Sequence, residues 1–439
     1  MMSFAASLPP AAMAGMGFAP DLPAGQSGDQ RFFDARESRP ADMREQELIT
    51  RLPNLVRSAK VAKGWAWLLS GVDARSVASR AALARLPVLR RHDLAAMQAG
   101  AAPFGGLVPE PIATFKRVFG AAGNGAGALV YEPEANGYDT WRAARALFAA
   151  GLRKGDVLLN GLSYHLEPAG FIIDSGCRAM GCPVIPAGPA DSAEGLDQRL
   201  DVAEHLAPAA FAGTANLLSR LIERAAESGR PLGFRLAFIP EGEVGADLRQ
   251  QAAARGIAVV EALTSPELGI IAYQTTADDG FVLNEDLLAE IVRPGTGEPV
   301  EPGEAGEVLL TSFDPHHPFI RLATGRLSRQ VAGTSACGRT NMRLAGWLGS
   351  ATQAARIGAI TVTPAQIAEL RHRHPGLGRL RLIVRQDGTR LAAETGEPSS
   401  ALAEALAGSL RRVAQLAVPV ELVAAGDLPN DGRVIADER

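Results

Sequence analysis

The residues with the clearest capacity for chemistry run from Val118 to Tyr131 and read V-F-G-A-A-G-N-G-A-G-A-L-V-Y. A strand-like apolar segment enters Gly120, Gly123, Gly125 and Gly127, and a second extended run, 128–131, leaves them. Glycine lacks a Cβ and tolerates positive φ, so backbone N–H groups in such a loop can close around a phosphate, with the Asn124 amide as a further donor. Two nucleotide fingerprints are incomplete here. Gly123, Gly125 and Ala128 fit G-x-G-x-x-G/A, but that pattern needs a helix directly after the loop, and a strand-like run with Pro133 follows instead. A mononucleotide P-loop needs a closing Lys-Ser or Lys-Thr, and neither is present. A glycine-rich hairpin without a ligand stays equally open on these residues alone.

Other reactive side chains are sparse. His165 follows a predicted strand at the mouth of a sheet, where open α/β sheets bind ligands, which suits pocket lining better than general-base work. The pair His316-His317 has no third ligand nearby in sequence and reads as a solvent-exposed turn. Cys177, Cys182 and Cys337 are too few for a disulfide framework in a chain of 439 residues; they point to a reducing, cytoplasmic setting and to small buried hydrophobes.

These residues must be positioned by alternating elements. The spacing predicts a helical stretch over 41–70, a short helix over 77–86, and then helices over 138–151, 169–180, 196–205, 215–227 and 246–254. Strands are predicted between them over 157–160, 183–186, 209–212, 235–239 and 258–260, which implies right-handed crossovers and a mainly parallel sheet. Beyond Gly280 the runs 282–283, 289–292 and 306–311 read as an antiparallel part, with the acidic 298–307 as an exposed turn. The expected class is α/β: residues 1–30 as a mobile tail, a large N-terminal domain over 31–345 and a small C-terminal α+β domain over 346–439.

Composition sets outer limits. Apolar residues make up 47%, enough for large cores, and 44 basic residues against 48 acidic give a net charge of -4. No basic footprint for nucleic acid and no apolar run long enough for a membrane span is expected. The first thirty residues contain no Lys or Arg and so lack the charged start of a secretion signal.

Read in order, short motifs resemble those of the phenylacetate-coenzyme A ligases, a branch of the adenylate-forming enzymes. Leu86-Pro87, Arg91-His92-Asp93-Leu94 and Pro103-Phe104-Gly105 are similar to the family's L-P-x-x-x-K-x-D-L and P-F-G. Ala212-Gly213-Thr214 resembles G-T-P, and Thr264-Ser265-Pro266-Glu267-Leu268-Gly269 resembles the turn that lies against adenine and supplies a metal-binding glutamate. Glu301-Pro302-Gly303-Glu304-Ala305-Gly306-Glu307, Ile320-Arg321-Leu322-Ala323-Thr324-Gly325 and Cys337-Gly338-Arg339-Thr340 follow the family order. The resemblance implies an adenylate-forming ligase fold, ATP with Mg2+ and coenzyme A as cofactors, and a small carboxylic acid as substrate. It leaves room for an acyl carrier as acceptor and for a homodimer. It also implies roles: Glu267 and Arg433 catalytic, with Glu267 as the Mg2+ ligand; Gly120, Gly123, Asn124, Gly125, Thr264, Ser265, Thr324 and Arg326 around the nucleotide; His165 and Gly213 in the acid pocket.

The family's chemistry needs phosphate donors, a Mg2+ ligand and a lysine, and several of these positions differ here. The family loop S-S-G-T-T-G-K-P stands as Gly120-Ala121-Ala122-Gly123-Asn124-Gly125-Ala126-Gly127, without hydroxyls or lysine. Arg326 replaces the ribose-binding aspartate, an acceptor turned into a cation. The hinge G-R-x-D-D-M stands as Gly349-Ser350-Ala351-Thr352-Gln353-Ala354, and the adenylation lysine is absent from Gly432-Arg433-Val434. A guanidinium fork is a poor substitute for a compact ammonium. With Val282 in place of a histidine and only Cys337 retained, no zinc site is expected. Two functions therefore stand side by side: a ligase divergent in its ATP contacts, and a repurposed homologue acting as a binding or partner protein.

Overall fold

The computed structural model describes residues 31–122, 129–241, 244–358, 360–430 and 433–439. Gly123, Asn124, Gly125, Gly432 and the expected tail 1–30 lie outside the described residues. The largest sheet has nine strands among the described residues. Its parallel half runs Val184–Pro186, Leu158–Asn160, Ala210–Thr214, Leu236–Glu241, Ala258–Ser265. The helices Ala169–Met180, Ala193–Leu206, Ala215–Ser228 and Ala246–Ala253 make the crossovers. Helix Ala169–Met180 buries Ile172, Ile173, Cys177 and Met180 on one face and stops at Gly181, whose φ of +71 favours glycine. Chain order reverses between Leu158–Asn160 and Ala210–Thr214, a topological switch whose carboxyl ends carry the His165 loop and Gly213.

After Ser265 the same sheet continues antiparallel through Gly269–Tyr273, Phe281–Leu283, Arg343–Leu344 and Gln330–Val331. A separate four-stranded sheet orders Leu89–Arg90, Leu322–Ser328, Gly306–Ser312, Leu287–Val292. The expected antiparallel part is thus divided between two sheets. The turn at Asp286, with φ of 61, redirects the chain between 281–283 and 287–292. Residues 355–437 carry their own four-stranded sheet, the helices Pro364–Arg373 and Ser400–Ala414, and an apolar cluster around Leu370, Leu382, Leu391, Leu406 and Leu410.

Two helix expectations are corrected. The stretch 41–70 breaks into Ala41–Ala59 and Lys63–Leu68. Gly64 explains the break: its N–H donates to Gly106 O at 2.7 Å, and a Cβ there would stand 2.6 Å from Gly105 O, so the chain turns to meet the P-F-G-G segment. The expected helix 77–86 contracts to Arg80–Leu83, started by Ser79, whose Oγ accepts from Ala82 N at 3.1 Å.

Arg321 ties these parts together. It is 2% exposed, and its Nε donates to Glu290 Oε2 at 3.1 Å. Nη1 donates to Ala84 O at 2.8 Å and Leu86 O at 2.5 Å, and Nη2 to Gly297 O at 2.6 Å. Removing one member of a buried, hydrogen-bonded pair leaves uncompensated polar groups. Arg321→Met is expected to cost about 3–5 kcal/mol of unfolding free energy in a urea titration. Arg385→Ala, which breaks a solvent-facing pair with Glu438, should leave the midpoint within error. Equal effects of the two substitutions would remove Arg321 as the tie.

Candidate functional site

The T-S-P-E-L-G segment is the hairpin between strands Ala258–Ser265 and Gly269–Tyr273. Its shape is enforced from behind. Ile270 N donates to Trp141 O at 3.0 Å, and the Arg142 guanidinium donates to Leu268 O. Gly269 has φ of +66, and a Cβ there would meet Trp141 O at 2.7 Å, so only glycine allows this approach. The turn therefore presents Glu267 at a fixed place, with its side chain 3% exposed.

Opposite stands the strand Leu322–Ser328. Leu89–Arg90 pairs with it in parallel through Leu89↔Leu322 and Arg90↔Ala323, which places the next residue, Arg91, beside the hairpin. The Arg91 Nε donates to Glu267 Oε1 at 2.5 Å. Between these elements lies a cleft of about 130 Å³ lined by Thr264, Ser265, Glu267, Thr324 and Arg326 together with Arg91 and Trp347. Five residues anticipated from sequence thus meet in one place. Thr264 Oγ1 donates to Pro240 O, while Thr324 Oγ1 donates to Val308 O and accepts from Arg326 N. Ser265 Oγ accepts from Leu268 N, which leaves its hydroxyl proton for a ligand.

The remaining anticipated residues lie apart from this cleft. Gly120 lies within its hairpin strand, Arg117–Ala122, against the loop after Asn160; its N–H donates to Leu166 O at 3.0 Å. His165 in that loop is exposed and lines none of the described cavities. Gly213 is buried, and a Cβ there would stand 2.3 Å from the Phe211 ring, so packing alone requires glycine. Arg433 is exposed and absent from the described cleft lining; its neighbour Val434 N donates to Gln353 Oε1 at 3.1 Å. A larger cavity of 750 Å³, lined among others by Arg44, Leu48, Glu285 and Met342, contains none of the anticipated site residues.

The expectation for His316-His317 is corrected in half. His316 is exposed, but His317 is 9% exposed and packs on Phe319 with ring centroids 4.5 Å apart. Its Nδ1 lies 3.3 Å from Glu132 Oε2, and neither Glu132 oxygen reaches hydrogen-bond geometry. Burial, and then the Glu267 charge, push the Glu132 carboxyl well above the ordinary carboxylate range. Burial pushes the His317 imidazole down to about 4. The pair is therefore a contact of neutral groups. Beside it a polar cavity of about 20 Å³, lined by Thr140, Trp141, Arg142, Glu267 and His317, adjoins the hairpin from behind. Among the described residues, Thr140 Oγ1, Trp141 Nε1 and Arg142 Nε have no hydrogen-bond partner, and a space of this size and polarity suits a water molecule.

Arg91, Glu132, His317 and Trp347 were not anticipated as site residues. A signal existed for Glu132: strand alternation puts it on the same face as the buried Val130. His317 needed the fold, because its burial depends on Glu132 arriving from the distant strand Leu129–Glu134.

No protein-family model matches the chain. It is similar to the phenylacetate-coenzyme A ligase of Thermus thermophilus, 26% identical over 347 residues, spanning 75% of this chain and 76% of the relative. A second similarity, to the phenylacetate-coenzyme A ligase of Aromatoleum evansii, is 26% identical over 332 residues and spans 72% of each. The chain is a homologue of the phenylacetate-coenzyme A ligases. The fold likewise matches a solved open conformation of 2-hydroxyisobutyryl-CoA ligase in complex with 2-HIB-AMP and CoA. That match has a TM-score of 0.83 at 24% identity and covers 93% of this chain and 95% of the other. Against the same enzyme in its postadenylation state with 2-HIB-AMP the TM-score is 0.72 at 23% identity, covering 94% and 93%.

For a phenylacetate-coenzyme A ligase homologue, a Mg2+ ion is the implied metal, and the cleft does not fit it. Its single carboxylate, Glu267, is already neutralised by Arg91, and Arg326 adds a second guanidinium to the lining. Among the described residues no group of three or more His, Cys, Asp or Glu side chains is arranged to hold a metal.

The Glu132 environment gives a signed pH dependence. The folded chain keeps a proton that the unfolded chain releases above its ordinary value of 4.5. The stability this proton contributes is complete below that value and is lost as pH rises towards the folded pKa. Glu132→Gln removes the loss. As pH rises above about 5 the variant should gain stability relative to the wild type, by up to about 1.4 kcal/mol per pH unit. Urea unfolding at several pH values checks this, and a pH-independent difference would show that Glu132 ionises freely.

Proposed function

We propose that the protein is a divergent acyl- or aryl-acid ligase homologue that recognises a small carboxylic acid while its ATP-dependent adenylation is impaired. The Arg91–Glu267 pair carries this reading. The carboxylate that the family resemblance assigns to Mg2+ is occupied by the guanidinium of Arg91. Arg326 in the same cleft meets the ribose position with a donor in place of an acceptor. Coenzyme A, or an acyl carrier, would be the thiol acceptor of any residual activity. The unit 346–439 is proposed as the moving domain relative to 31–345; its separate sheet and core, and the higher TM-score against an open conformation, support this. No helix among the described residues is long and apolar enough to cross a membrane, and a cytoplasmic homodimer is the proposed setting.

One observation favours ordinary turnover instead: Thr264, Ser265, Glu267 and Thr324 share one cleft. Pyrophosphate release with ATP, Mg2+ and a panel of aryl and acyl acids separates the two. The expected result is release at least about a thousandfold below that of an active phenylacetate-coenzyme A ligase, roughly 4 kcal/mol in barrier, with thermal stabilisation by at least one acid. Turnover at the active ligase's rate, abolished by Glu267→Gln, would overturn this reading in favour of the ordinary ligase.

A further inference from the structure

We infer that the cleft between residues 264–267 and 322–326 binds a phosphate-class anion without a divalent cation, with Arg91 and Arg326 supplying the positive charge. This names the ligand class of the cleft on which the proposed function rests.

The charge balance comes first. Arg91 and Arg326 line the cleft against one carboxylate, Glu267, and the other lining residues are uncharged. The space therefore carries net positive charge before any ligand enters. A divalent ion would add two further positive charges beside two guanidinium groups, whereas an anion is attracted by both guanidinium groups and opposed only by the single Glu267 carboxylate, which Arg91 already pairs. The buried Glu132 behind the turn supplies no compensating negative charge, because it is held neutral.

Donor geometry points the same way. Among the described residues, Arg91 hydrogen-bonds only through Nε, to Glu267, so the edge carrying its two terminal nitrogens stays available. The pairing also fixes the orientation of the fork, which lowers the entropy lost when an anion is gripped. Arg326 is exposed, and no carboxylate among the described residues pairs with it. The Ser265 hydroxyl proton is unassigned because its oxygen accepts from Leu268 N. Two planar forks and a hydroxyl suit the several oxygens of a phosphate better than the single plane of a carboxylate.

Calorimetric titration of the full chain with AMP, pyrophosphate and inorganic phosphate, first in EDTA and then in excess Mg2+, tests the inference. At least one of the three should bind in EDTA, and Mg2+ should leave that affinity unchanged or weaken it. Binding of AMP alone marks a nucleotide as the source, and binding of pyrophosphate or phosphate alone marks a free anion. Arg326→Ala, at an exposed position, should weaken binding by at least about tenfold. Arg91→Gln frees Glu267 and should make affinity rise with Mg2+. Should that variant not fold, the Arg326→Ala and EDTA results decide. Binding that appears only with Mg2+, an unchanged affinity in Arg326→Ala, or no binding in either buffer overturns the inference. These readouts are separate from pyrophosphate release: Mg2+-dependent binding without turnover overturns this inference alone, whereas ordinary turnover overturns the functional reading.

Discussion

The guanidinium of Arg321 is the contact on which the geometry of the site depends. Its donors reach Glu290 on one strand, the carbonyls of Ala84 and Leu86 in the segment before Leu89–Arg90, and Gly297 in the turn beyond. Because Leu89 N also donates to Arg321 O at 3.1 Å, the entry segment is held in parallel register with Leu322–Ser328. That register delivers Arg91 to Glu267 one residue later. A planar fork can hold three carbonyls and a carboxylate at once; a lysine, a point donor on a flexible stem, would not fix the segment in rotation.

Charge in the site is organised in two layers. At the cleft, Arg91 and Arg326 outnumber Glu267. Behind the turn, Glu132 and His317 sit within 3.3 Å as neutral groups, since burial penalises the charged form of each and the Glu267 charge further opposes ionisation of Glu132. The small polar cavity beside them is lined by polar atoms of Thr140, Trp141 and Arg142 that have no partner among the described residues. By contrast the acidic pair Glu285-Asp286 is paired with Arg36, Arg39, Arg44 and Arg51, and the Asp286 carboxyl is held well below the ordinary carboxylate range despite its burial, because Arg36 and Arg51 hydrogen-bond to it.

The sequence by itself determined the class and the order of the parts. Alternating apolar strands and amphipathic helices over 156–260 leave few options but a parallel sheet, because the periods of two and of 3.6 residues are local properties of the chain. Motif order likewise located Thr264, Ser265, Glu267, Thr324 and Arg326, which the fold gathers into one cleft. Helix ends were less legible. The break at Gly64 and the contraction to Arg80–Leu83 depend on a distant loop at Gly105 and on capping by Ser79, and neither appears in a periodicity. What only the tertiary structure decided is how the charged residues pair. Arg91 and Glu267 are 176 positions apart, and Glu132 on the strand Leu129–Glu134 meets His317 from the loop after Ser312, so their partners follow from burial and proximity, which no local pattern encodes.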